Sequence, residues 1–96
     1  MSLKIIYSDD AISTLNAIHD FIILRFGTRV ADKFIDKAEK VVTLISENPM
    51  MFKSIHLGNE IRKGFITEQT SVFYKISETE ILLMYFWENR QEPQFL

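Results

Sequence analysis

Ninety-six residues, 47% of them hydrophobic and 25% charged, make one domain with a single thin core. The absence of cysteine excludes disulfides, thiolate chemistry and cysteine-based zinc sites, and fits a cytoplasmic location. A net charge of -2 argues against a general phosphate-binding surface, and therefore against direct DNA binding by the chain alone, while leaving room for a local basic patch.

The N-terminus lacks the charged-then-apolar pattern of a secretion signal, and no apolar run approaches the roughly 20 residues of a membrane helix. No membrane partner is expected. Leu3-Lys4-Ile5-Ile6-Tyr7 is short, β-branched and aromatic, which predicts a strand. Ser8 then stands where a helix N-cap is needed, with Asp9 and Asp10 in a first turn that favours negative charge. Ala11, Ile12, Leu15, Ile18, Ile22 and Phe26 recur at three- and four-residue steps and predict an amphipathic helix. Gly27 suits the helix end, and Thr28 is placed to cap the next one. A second stripe, Val30, Phe34, Ile35, Ala38, Val41, Val42 and Ile45, runs to Asn48-Pro49, where the residue before proline is pushed out of helical geometry. The two helices, about 17 and 20 residues by their periodicity, are joined so closely that they must form an antiparallel hairpin.

Met50 to Asn59 has no period and reads as a loop, with a turn at Gly58-Asn59. Three strand-like runs follow, Glu60–Ile66, Ser71–Ile76 and Glu80–Trp87, with connections that permit only antiparallel hairpins. The expected fold is α+β, in the order β-α-α-β-β-β. Its N-terminal strand joins the edge of a small antiparallel sheet, and the helical hairpin packs on one face. The last strand is unusual. Ile81, Leu83, Tyr85 and Trp87 on one alternation, and Leu82, Met84 and Phe86 on the other, are all apolar, whereas a half-exposed strand should alternate apolar with polar. One helical layer covers one face, so the other calls for cover from the tail or from a partner.

Chemistry is sparse. His19 and His56 have no companions at metal-ligand spacing, no glycine-rich phosphate loop exists, and no cofactor or metal is expected. His19 reads as a boundary residue of the first helix. The carboxylates Asp20, Asp32, Asp36, Glu39 and Glu47, set among Arg25, Arg29, Lys33, Lys37 and Lys40, read as a solvated, salt-bridged surface. The remaining polar set is Arg62, Lys63, Tyr74, Lys75 and Arg90. If these converge across strands they could hold a phosphodiester and stabilise its charged transition state. Alternatively, Arg62 and Arg90 pair with acidic neighbours while Tyr74 packs with its hydroxyl at the sheet margin.

The order of elements, together with Leu44-Ile45-Ser46-Glu47-Asn48-Pro49, Glu60-Ile61-Arg62-Lys63-Gly64, Val72-Phe73-Tyr74-Lys75-Ile76 and Tyr85-Phe86-Trp87-Glu88-Asn89-Arg90-Gln91-Glu92-Pro93, resembles the ParE/RelE superfamily of type II toxin–antitoxin (plasmid stabilisation) systems over nearly the whole chain. The resemblance implies a toxin silenced by an antitoxin whose C-terminal segment wraps it. It also implies one of two actions: RelE-like cleavage of messenger RNA in the ribosome, or ParE-like inhibition of DNA gyrase without nuclease activity. The acidic balance, Val72 and Phe73 where many relatives carry an arginine, the absence of His or Tyr after Trp87, and the long helices all favour the ParE-like branch. On that reading no residue is catalytic; on the nuclease alternative Arg62, Lys63, Tyr74 and Arg90 would be. A degenerate member that only binds its antitoxin is the third reading. Phe65, Phe73, Met84 and Phe86 are the expected antitoxin contacts, the face of each depending on register.

Overall fold

The computed structural model describes residues 2–55 and 61–89. Its elements are β1 (Lys4–Tyr7), α1 (Asp9–Phe26), α2 (Thr28–Glu47), β2 (Ile61–Phe65), β3 (Thr70–Ile76) and β4 (Glu80–Glu88). They form a four-stranded sheet in the order β1-β4-β3-β2, with the hairpin α1–α2 against one face. This is the expected α+β architecture. One detail is added to it: β1 lies at the edge but runs parallel to β4, Ile5 opposite Ile81 and Tyr7 opposite Leu83, so the sheet is mixed. The long helical excursion between β1 and the meander is what allows a parallel neighbour.

Local chemistry accounts for the joints. Ser8 caps α1, its hydroxyl accepting from the Ala11 amide at 2.9 Å and donating to the Met84 carbonyl at 2.7 Å. Gly27 has φ 93° and ends α1 by donating to the Ile23 carbonyl. Only glycine adopts that conformation without strain, and here it serves as both the last cap of α1 and the first of α2. Thr28 is therefore already inside α2 and does not cap it, a correction to the expectation: the turn is one residue tighter than a separate cap would need. α2 ends at Asn48, before Pro49.

The core is built from Ala11, Ile18 and Ile22 of α1, Phe34, Ala38, Val42 and Ile45 of α2, and Val72, Tyr74, Ile81, Leu83 and Phe86 of the sheet. Past Leu83, β1 has ended and β4 loses its neighbour on that side. The side chains of α1 take over: beyond the Ser8 bond, the Thr14 hydroxyl accepts from the Phe86 amide at 2.8 Å. Two hydroxyls thus satisfy backbone groups of a strand edge that would otherwise be left open.

The polar surface of the hairpin departs from expectation. Among the described residues, the close approaches to carboxylates on this surface are made by His19, Nε2 lying 3.5 Å from Asp32 of α2 and Nδ1 3.7 Å from Asp20. The lysines and arginines of the helices form no salt bridge with the neighbouring carboxylates among these residues. Exposed pairs gain too little to hold two long side chains in one geometry. The turn expected at Gly58-Asn59, together with His56, Arg90 and Pro93, lies outside the described residues.

Candidate interaction surface

The register decides which side chains share a face. β3 and β4 pair regularly from Ile76/Ile81 to Tyr74/Leu83, then resume at Phe73/Tyr85, so Met84 is an extra residue in β4. Such a β-bulge leaves one residue unpaired and resets the alternation of the bulged strand. Before it, Ile81 and Leu83 point into the core; after it, Phe86 and Glu88 do. The two apolar alternations read in the sequence are thereby resolved. Odd-numbered residues face the helices in the first half of β4, and even-numbered residues in the second.

On the opposite, open face the bulge aligns Lys63, Phe73 and Tyr85 in one cross-strand row and Phe65, Ser71 and Trp87 in the next. Phe73 and Tyr85 stack with centroids 4.7 Å apart, and Trp87 meets Tyr85 edge-on at 6.5 Å. The Lys63 ammonium stands over the Phe65 and Phe73 rings, 5.6 and 5.7 Å from their centroids. Phe65 is half exposed and also meets Phe52 edge-on. Leu82 and Lys75 are exposed and sit opposite each other across the two strands. An aromatic strip bordered by lysines is an apolar surface with a positive fringe, the composition of an interaction site.

Of the four contacts expected for a partner, Phe65 and Phe73 share this face. Met84 is half-buried at the bulge. Phe86 is corrected: it is 2% exposed and packed in the core, because the bulge turns it inward. Tyr85 and Trp87 belong to the same face, although neither was among the expected contacts. Their signal was the unbroken apolar run, which hides a bulge.

Among the described residues the candidate polar set is divided between the two faces of the sheet. Arg62 and Tyr74 are opposite each other and face the helical side, while Lys63 and Lys75 face the open side. The Arg62 guanidinium donates from Nη1 to the Phe52 carbonyl at 2.6 Å, and the Tyr74 hydroxyl to the Pro49 carbonyl at 2.9 Å. Both hold down the segment that follows α2. The buried Arg62 Nε finds no hydrogen-bond partner among the described residues. Burial raises the Tyr74 pKa, against the opposing pull of the Arg62 charge and of a backbone hydrogen bond at Phe52. A buried phenol with a raised pKa, donating to a carbonyl, is poorly placed to take or give a proton at neutral pH. No group of three or more His, Asp or Glu side chains that could hold a metal occurs among the described residues, and no helix among them is long and apolar enough to cross a membrane.

The fold is shared with chains of solved toxin–antitoxin systems. A chain of the chromosomal ParDE system from P. aeruginosa superposes with TM-score 0.75 at 16% identity, covering 91% of this chain and 96% of that one. Chains of the toxin–antitoxin complexes RelBE2 from Mycobacterium tuberculosis (TM-score 0.62, 11% identity, 92% and 99% covered) and DinJ–YafQ from E. coli (0.64, 11%, 96% and 98%) have the same architecture. These likenesses define the class by fold. No curated protein matches the sequence. The family model described as the ParE toxin of type II toxin–antitoxin systems, parDE, matches residues 5–93, and the chain belongs to that family.

Proposed function

We propose that this ParE-family toxin acts by binding and inhibiting DNA gyrase, without cutting RNA, and that a cognate antitoxin silences it by covering the open sheet face at Phe65, Phe73 and Met84, joined by Tyr85 and Trp87. The observation that carries the reading is the division of the polar set. Arg62 and Tyr74 are engaged by backbone carbonyls under the segment after α2, with the sheet itself between them and Lys63. A phosphodiester gripped by Lys63 on one face is out of reach of Arg62 on the other, so among the described residues no guanidinium of the set stands on that face to stabilise its transition state. The aromatic strip instead suits burial by an apolar, mixed-charge segment that orders on binding.

Three measurements test the proposal. Purified toxin is expected to inhibit supercoiling of relaxed plasmid by the host gyrase, and to leave messenger RNA intact on translating ribosomes. Ribosome-dependent cleavage abolished by Arg62→Ala would replace the reading with the nuclease alternative; absence of both activities and of growth arrest would leave an antitoxin-binding module. Co-expression with the neighbouring reading frame is expected to yield a complex that Phe73→Ala weakens.

A further inference from the structure

The chain holds four methionines and no cysteine, so peroxide chemistry at its sulfurs is thioether chemistry alone. Met1 lies outside the described residues. Two others are consecutive, Met50 and Met51, in the segment between α2 and β2. Met50 is 67% exposed and Met51 47%. With Glu47, Asn48 and Pro49 they line an open hollow of about 500 Å³, so a small oxidant reaches both side chains. The fourth, Met84 at the bulge, is half-buried. The backbone around the exposed pair is held. The Met51 amide donates to the Asn48 carbonyl at 3.0 Å, Tyr74 and Arg62 grip the carbonyls of Pro49 and Phe52, and the Ile55 amide donates to the Ile61 carbonyl. The Phe52 ring lies so close to Gly64 that a β-carbon there would stand 2.9 Å from it. None of these anchors uses a methionine side chain.

We infer that Met50 and Met51 form a site of reversible oxidation by hydroperoxides, which the fold displays while it shields Met84. In the forward step a sulfur lone pair attacks a peroxide oxygen. The S–O bond forms, the O–O bond breaks, and the departing hydroxide takes up the proton of the transferred hydroxyl and leaves as water. Sulfur is oxidised by two electrons and the peroxide is reduced by two. In the reverse step, carried out by thiol-dependent methionine sulfoxide reductases, two thiols become a disulfide and the oxygen leaves as water. The product is polar and chiral where the methionine was apolar and flexible. In a core such a change disrupts packing. At exposed positions whose backbone is fixed by other groups, the sulfoxides stay solvated and the anchors stay made. Oxidation therefore turns the surface at the end of α2 from apolar to polar without unfolding the domain. The site stands whether or not the toxin acts on gyrase.

The test treats the purified full chain with hydrogen peroxide and follows its tryptic peptides by mass spectrometry, with oxygens assigned to residues by fragmentation. Peptide 41–53 carries Met50 and Met51, and peptide 76–90 carries Met84. In buffer, peptide 41–53 is expected to gain one and then two oxygens while Met84 stays unmodified over the same interval. In denaturing urea all three methionines are expected to oxidise at similar rates. The doubly oxidised chain is expected to keep its circular dichroism and a cooperative melt. Reductases of both epimer specificities, with dithiothreitol, are expected to remove both oxygens. The variant Met50→Leu/Met51→Leu exchanges residues of similar volume at exposed positions, so it is expected to fold as the parent and to take up no oxygen in peptide 41–53. The inference is overturned if Met84 oxidises as fast as the pair in buffer, or if it still lags in urea, where the fold no longer shields it. It is overturned too if oxidation abolishes the melt, if the reductases leave the oxygens in place, or if the double variant still gains oxygen in that peptide.

Discussion

Truncating neighbouring aromatics of the sheet separates the two faces that the Met84 bulge creates. Phe86 is 2% exposed and packed in the core. Replacing it by alanine removes a full core ring and leaves a cavity, at a cost of about 3–5 kcal/mol. Phe73 is half-buried on the open face, and its alanine variant loses the stack on Tyr85. That stack contributes about 0.5–1.5 kcal/mol, and partial burial about another 1, for a total of roughly 1.5–2.5 kcal/mol. A domain of this size has roughly 5–14 kcal/mol of stability in all. Phe86→Ala should therefore remain folded in buffer yet unfold at markedly lower urea, with a melting temperature about 10 °C or more below that of Phe73→Ala. Urea titration followed by fluorescence of Trp87, the single tryptophan, measures both. Affinity for the antitoxin should run the other way: Phe73→Ala weakens the complex, while Phe86→Ala leaves it close to wild type below its unfolding transition. If Phe73→Ala proves as destabilising as Phe86→Ala, or if Phe86→Ala is the variant that frees the antitoxin, the bulge and the face assignment are both wrong.

Thr14→Val keeps the shape of the side chain and a similar helix propensity but leaves the Phe86 amide without its acceptor, so it should cost about 1–3 kcal/mol, while Thr14→Ser costs under about 1; thermal melts of the pair decide. Gly64→Ala places a methyl group 2.9 Å from the Phe52 ring and 3.4 Å from Ile45, so crowding should destabilise the fold by about 1–3 kcal/mol in urea titration. Tyr7 and Tyr74 both have raised pKa values, chiefly through burial and, for Tyr7, also through Glu39. Because the folded state holds these protons more tightly, their stabilisation is complete below the ordinary tyrosine value near 10 and is lost as pH rises through the folded values. Stability should accordingly fall above about pH 10, and Tyr74→Phe should flatten that fall.

Most of the fold was legible because its elements announce themselves through period and punctuation. The helical stripes, Ser8, Gly27 and the Asn48-Pro49 stop place both helices within a residue or two, and the short connections force the β2–β3–β4 meander. Less legible was anything set by pairing across strands. No local signal distinguishes Met84 from its neighbours in an unbroken apolar run, since a bulge is defined by the partner strand. With it went the sides of Phe86, Tyr85 and Trp87. The parallel direction of β1 was likewise invisible: a strand separated from its partner by two helices carries no mark of direction, and the bond from the Ser8 amide to the Leu83 carbonyl exists only once the chain has returned.

The candidate constellation of basic residues shows a different kind of limit, because part of its fate was written in the spacing. Arg62 and Lys63 are consecutive, as are Tyr74 and Lys75, and consecutive residues of a strand point to opposite faces. A regular sheet must therefore split both pairs, whatever its register. Register decides only which member of each pair goes inside. The answer came from the burial of Val72 and Tyr74 in the core, which carries Arg62 inward opposite Tyr74 and turns Lys63 outward over Phe73. A nuclease built on such strands needs its polar groups on one face, at alternate positions along a strand or opposite each other across strands. At the alternate positions on the open side, Lys63 is followed by Phe65, and Phe73 by Lys75, with Tyr85 and Trp87 beyond. That pattern alternates cation with ring. It suits a surface that buries a partner's apolar side chains under a rim of charge better than one that gathers positive groups around a single phosphate.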